Sequence, residues 1–374
     1  MNITGGTTST TDGTTVGNGG VLVLGAVSTA ASYLRGVLTI NNGGTVKLTG
    51  GDATGYGNAE GTDATTVIYK LVINKGGVLE IGTDATQNNQ NQTFNMKDGV
   101  VLQGGQITAK NGVSNAKFDL FNTNTTTAGV TTLRSDTTAV ISADIGLRKK
   151  GSFDVASGTT ADGVDLLVSG RLTSRAQFTV GDIWDETTLT KSGAGTMKLT
   201  GDNQYWTTGG TIEAGTLIAS HENALGRLAS TKSLTVKTGA NLKISVESVN
   251  VGTTGSGVVL EQGAKLVIDL ADFSLVSTVS SEESTEMKLL DVLIANTITF
   301  GDTTLTNGDT LSSELANEYI LLQGAEQYLT TTWKYENDTL SLYATVPEPS
   351  AFGLLAGAGA LALAAARRRR TKKA

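Results

Sequence analysis

Leu71-Val-Ile-Asn-Lys-Gly76-Gly-Val-Leu-Glu-Ile81 is the stretch that decides the fold. Apolar residues hold its first, third, ninth and eleventh positions, in two short runs that each alternate with period two, as strands do. The glycine at position six marks a tight corner between the runs, because glycine reaches backbone angles that a β-carbon resists. The phrase recurs at Leu38–Leu48, Leu234–Ile244 and Val258–Ile268, each time with glycine at position six. A looser copy runs from Phe94 through Met96 and Gly99 to Leu102.

Each half of the phrase offers two inward apolar side chains, too few for a core of its own. Coils stacked about 4.8 Å apart would pair every strand with those above and below and bury one continuous apolar column. The expectation is an all-β chain, a right-handed parallel β-helix (solenoid). At roughly 20 residues per coil it would make about 15 coils and a rod of about 70 Å. Solvent-facing threonine and asparagine would line its outside or stack as ladders.

Composition fits. Of 374 residues, 47 are glycine and only 2 proline, and 17% are charged. Low charge with abundant β-branched residues opposes disorder. Cysteine is absent, which removes disulfides, thiolate nucleophiles and cysteine metal sites. The net charge of −7 divides into an acidic body and a basic tail after Val346, where six Arg and Lys stand against Glu348 alone. An acidic body lacks the clustered cations that displace counterions from nucleic acid, so no nucleic-acid partner is expected.

Leu189 to Ile218 is more particular. It resembles the autotransporter-associated β-strand repeat through Lys191, Gly193, Gly195, Leu199, Gly201, Asn203, Tyr205, Gly209, Gly210, Thr211, Ile212, Gly215, Thr216 and Leu217. That resemblance implies a passenger-like β-helix. No aromatic-girdled barrel follows, so secretion through a barrel of its own is not implied.

The tail opens on Val346-Pro347-Glu348-Pro349-Ser350, which holds both prolines and must stop strand pairing. An uncharged run follows, Ala351–Ala366, then Arg367, Arg368, Arg369 and Arg370. As a hydrophobic transmembrane helix over 351–366 the run rises roughly 24 Å, short of a hydrocarbon core about 30 Å thick. Each arginine at the bilayer centre costs about 2.5 to 3.5 kcal/mol, so the cluster stays at the cytoplasmic face and the body lies beyond the membrane. A buried core helix and a permanent anchor are the alternatives for this run. The three-part order resembles the PEP-CTERM sorting signal of Gram-negative bacteria. It implies a transient stay in the inner membrane and removal of the tail by an exosortase, a membrane cysteine protease. The body then passes to the cell surface or extracellular matrix.

The domain reading is a repeat body over 1–270, an atypical β cap over 271–345 rich in Trp333, Tyr335 and Tyr343, and the sorting signal over 346–374 with its basic end at 367–373. Val21–Val27 reads as the first strand of the body rather than a signal peptide, since no basic n-region precedes it and Asp12 does. Export still needs a leader, so the natural chain is expected to start upstream of Met1.

Catalytic signatures are missing. His221 is the single histidine and reads as a loop residue. The acid pairs Asp162 and Asp165, Asp182 and Asp185, and Asp302 and Asp309 have no ligand spacing and read as turn acids. Gln87–Thr93 reads as an exposed loop, with an amide ladder as the alternative. No catalytic residue, metal or cofactor is assigned. The function expected is a structural or adhesin-like surface protein, with surface glycans or extracellular polysaccharide as partners. The alternative is a polysaccharide-active lyase or hydrolase on the same rod.

Overall fold

The computed structural model describes residues 2–3, 13–26, 34–55, 68–86, 92–121, 129–148, 151–174, 188–252, 256–273, 286–325 and 330–345. The described residues are all-β, 49% of them in strands and 4% helical. Among the described residues two twelve-stranded sheets form, parallel throughout except where Thr303–Thr304 folds back antiparallel onto Thr297–Phe300. Successive strands alternate between the two sheets across a corner that in most coils carries glycine.

The eleven-residue phrase maps onto that corner without a slip. Leu71 pairs with Leu38 before it and Val100 after it, while Leu79 pairs with Val46 and Ile107. All sixteen apolar residues of the four full copies are buried. Gly43, Gly76, Gly239 and Gly263 take positive φ, between 74° and 82°. The period-two pattern therefore fixed both the inward rows and the place where the chain bends.

Three expectations need correction. The looser copy from Phe94 is out of phase. Its first half lies in a third sheet, and the true counterpart of the phrase begins at Val100, which pairs with Leu71. The coils are also longer and fewer than predicted. Lys191 pairs with Ile212, 21 residues on, but Leu260 pairs with Phe300, 40 residues on. Twelve rungs at about 4.8 Å make a stack of roughly 50 Å. Insertions between strands leave no periodic mark, which is why the coil length could not be read. Lastly, Val21–Leu24 is a strand as expected, but the shorter Asn2–Ile3 and Thr14–Val16 precede it.

The third sheet, Gln92–Phe94, Lys117–Leu120, Asp144–Leu147 and Leu172–Thr173, closes another face of the middle coils. Phe94 and Phe118 stack inside it at 4.7 Å. Gln92 is buried in this sheet, not exposed in a loop. Its amide accepts from the Ala53 N–H at 3.1 Å and donates to the Gly50 carbonyl at 2.6 Å. Positions 87–91 lie outside the described residues.

Both long sheets continue past residue 270. Leu260 pairs with Phe300 and Ile268 with Leu322. A five-stranded sheet then forms from Val249–Asn250, Glu286–Ile294, Thr339–Thr345, Thr330–Glu336 and Asp309–Thr310, antiparallel except at its first pair. It buries Trp333 and Tyr335, and the Tyr335 hydroxyl donates to the Ala295 and Asn296 carbonyls. A short helix, Ser313–Tyr319, stands before Ile320 and was not expected. Ser312 caps it by accepting from the Leu315 N–H at 3.2 Å, and Tyr319 packs on Phe300.

Candidate functional site

A polar notch opens on the outside of the glycine corner. Asn41, Asn42, Asn74, Lys75, Gln103, Ser135 and Asp136 line a volume of about 520 Å³. Its origin is a mismatch of corner lengths on adjoining coils. Between Gln103 and Gln106 the corner is one residue shorter than between Asn74 and Val78, and Gly104-Gly105 sit at its bottom without side chains. The next corner, Leu133 to Thr138, is longer and projects. Lys75 arches over the short corner to Asp136, Nζ to Oδ1 at 2.8 Å. Along the floor, Asn74 Nδ2 donates to Asn41 Oδ1 at 2.6 Å, and Gln103 donates to the Arg134 carbonyl. Asn41, Asn42, Asn74 and Gln103 bring side-chain amides to the notch. Such amides offer donor and acceptor side by side, the pairing that hydroxyl-rich ligands satisfy. Sequence reading missed this feature, because only stacking shows that one corner is short and its neighbour long.

The segment Leu189–Ile218 has an internal logic. Lys191 is fully buried, and its ammonium donates to the carbonyls of Gly193 and Ala214 at 2.7 Å and of Ser192 at 3.2 Å. Burial pulls its pKa down to about 8, against the opposing pull of Asp154 and Asp165. Gly215, at φ 65°, passes so close that a β-carbon would stand 2.4 Å from the Gly195 carbonyl. Asn203 is buried between coils, accepting from the Leu172 N–H and donating to the Ala224 carbonyl, both at 2.7 Å. The buried Trp206 donates its indole N–H to Gly209. Lys191 and Asn203 thereby tie neighbouring coils outside the strand ladders.

A buried ion pair, missed from sequence, sits on the outward row of the third sheet. Lys117 Nζ meets Asp119 Oδ1 at 2.7 Å, with both side chains 1% exposed. Burial raises the Asp119 pKa although Lys117 lowers it, and Oδ2 accepts nothing among the described residues. The alternating Lys-Phe-Asp was the available signal. Nearby, Asp144 takes a bidentate grip from Arg171.

The acids singled out from sequence are turn acids where they are described. Asp165 accepts from the Gly158 and Thr196 N–H groups, Asp162 from Val164, and Asp309 from Thr306. His221 Nδ1 accepts from the Asn223 N–H at 3.1 Å. Asp182 and Asp185 lie outside the described residues, and among the described residues no group of acids and histidine fits a metal ion.

At the exit, Thr339–Thr345 runs between Glu286–Ile294 and Thr330–Glu336 and ends one residue before Val346. Val346, Pro347, Glu348, Pro349 and Ser350, the run Ala351–Ala366 and Arg367–Arg370 lie outside the described residues. Among the described residues no helix is long and apolar enough to cross a membrane.

Comparison with known proteins bears on this end of the chain alone. Residues 345–370 match the PEP-CTERM protein-sorting motif. No curated protein and no solved structure matches the chain. The motif marks a protein that is exported, addressed to the envelope and sorted by an exosortase, a membrane protein.

Proposed function

We propose that the body is an elongated structural or adhesin-like element of the cell surface or extracellular matrix and that it has no enzymatic activity. Its coils, by the usual handedness of parallel crossovers, form a right-handed β-helix, and the segment at Leu189–Ile218 is an autotransporter-type repeat put to scaffold use. One observation carries this reading: the paired strands run to Thr345, so the folded body reaches the sorting motif directly and is the whole of its described cargo. The turn carboxylates of Asp162, Asp165 and Asp309 accept from backbone N–H groups, which supports a scaffold over a lyase or hydrolase. The amides that line the notch support contact with hydroxyl-rich surface glycans or extracellular polysaccharide.

The decisive experiment is the intact mass of the protein recovered from cells. The reading expects a C-terminus near Pro347–Ser350 with Arg367–Arg370 gone. A mature chain that keeps its arginines sinks the sorting half. Product release from a panel of polysaccharides sinks the scaffold half.

A further inference from the structure

The last strand leaves the fold under a clasp. Lys334, on Thr330–Glu336, reaches Glu286, on Glu286–Ile294, at 2.5 Å across the intervening Thr339–Thr345. Its ammonium passes over the Tyr343 ring, 4.4 Å from the centroid. The strand beneath is held by seven register pairs on either side, and Leu340, Leu342 and Ala344 are buried. Thr345, the last residue of the sheet, is itself paired with both Glu286 and Thr330. Peeling this strand to lengthen the exit would break the clasp, both ladders and the core contact together. The exit point is fixed.

Only five residues, 346–350, separate Thr345 from the apolar run. Fully extended they span at most roughly 18 Å, and with two prolines holding φ they reach no further. A protease in the membrane that grips the Pro-Glu-Pro stretch therefore has no room for a free linker between itself and the folded sheet.

We propose that the sorting protease cuts this chain with the end of the five-stranded sheet seated against it. The contact surface is the edge at Glu286, Thr330 and Thr331, and the rod stands away from the membrane on that end. This rests on the reading of 346–370 as a sorting signal processed in the membrane. The occupant is the protease because the tether is too short for anything else to lie between. Glu286, Thr330 and Thr331 are exposed and available for the contact.

The test uses the full-length chain in cells or membranes that contain an inactive form of the protease, so that the complex accumulates. A photo-crosslinking residue at Thr330 or Thr331 should join the protease. The same residue at Asn18, exposed at the other end of the rod, should not. Ten Gly/Ser residues inserted between Thr345 and Val346 should lower the Thr330 crosslink at least several-fold. If the wild-type chain is shortened normally yet Thr330 gives no crosslink, or no more than Asn18, the docking proposal falls and the sorting reading stands. If an active protease leaves the wild-type tail in place, the sorting reading falls and takes this proposal with it. A Thr330 crosslink unchanged by the linker overturns the claim that the short tether enforces the contact.

Discussion

Glu286 and Lys334 form an ion pair across a strand that belongs to neither of them, closing over Tyr343 just before the chain leaves the fold. Lys334 holds the Glu286 carboxyl below its ordinary value of 4.5, chiefly by hydrogen bonding. A depressed carboxyl contributes stability above its unfolded pKa and loses it as pH falls through the folded value. Amide exchange at Tyr343–Thr345 should therefore speed up when pH drops below about 4.5, and Glu286→Gln should abolish that extra step. An exchange profile identical in the variant would show that the clasp does not hold the exit.

The pair Lys117–Asp119 predicts an asymmetric response. Lys117→Met leaves a buried carboxylate unpartnered and should cost about 3–5 kcal/mol in urea unfolding, whereas the double variant Lys117→Met/Asp119→Leu should recover most of it. The Asp119 pKa is already raised by burial above its ordinary 3.8. Protonation removes the penalty, so the deficit of the single variant should shrink toward pH 4. A deficit independent of pH would contradict the pair's charge state.

Lys191 gives the opposite pH signature. Its folded pKa is about 8 and its ordinary value 10.5. Between those values the unfolded chain binds a proton that the folded chain does not, so stability should rise with pH there. Lys191→Met should lose that rise. It should also destabilise by about 1–3 kcal/mol, because buried carbonyls lose their donor. Thermal unfolding from pH 7.5 to 10.5 measures both.

Corner glycines should differ by cause. Gly239 has φ 79° with open space around it, so Gly239→Ala meets only the left-handed backbone cost, about 1–2 kcal/mol. At Gly77 a β-carbon would stand 2.5 Å from the Ile40 carbonyl, which belongs to the coil before. Gly77→Ala should be the more damaging, since it pushes two rungs apart. Equal losses would mean that the rungs yield freely.

The notch predicts a binding change without a folding change. Asn42→Ala removes an exposed amide that lines the notch and should leave stability within about 0.5 kcal/mol. Retention on a glycan array or on extracellular polysaccharide should fall several-fold relative to the wild-type body. Unchanged retention removes the notch as the contact point.

The sequence alone determined the local rules of this protein. Apolar residues at positions one, three, nine and eleven, around a glycine at six, dictate which side chains face inward and where the chain bends, because strand alternation and glycine's backbone freedom are properties of neighbouring residues. The tail was legible for the same reason: its three-part order lies within one continuous stretch. Tertiary structure alone decided the length of each coil, the phase of the stretch after Phe94, the pairing of Lys117 with Asp119 in a buried row, and the reach of Lys75 over a shortened corner to Asp136. These depend on insertions that carry no period and on which rungs come to lie together, and stacking settles that by burying the apolar column and completing the backbone ladders of many coils at once.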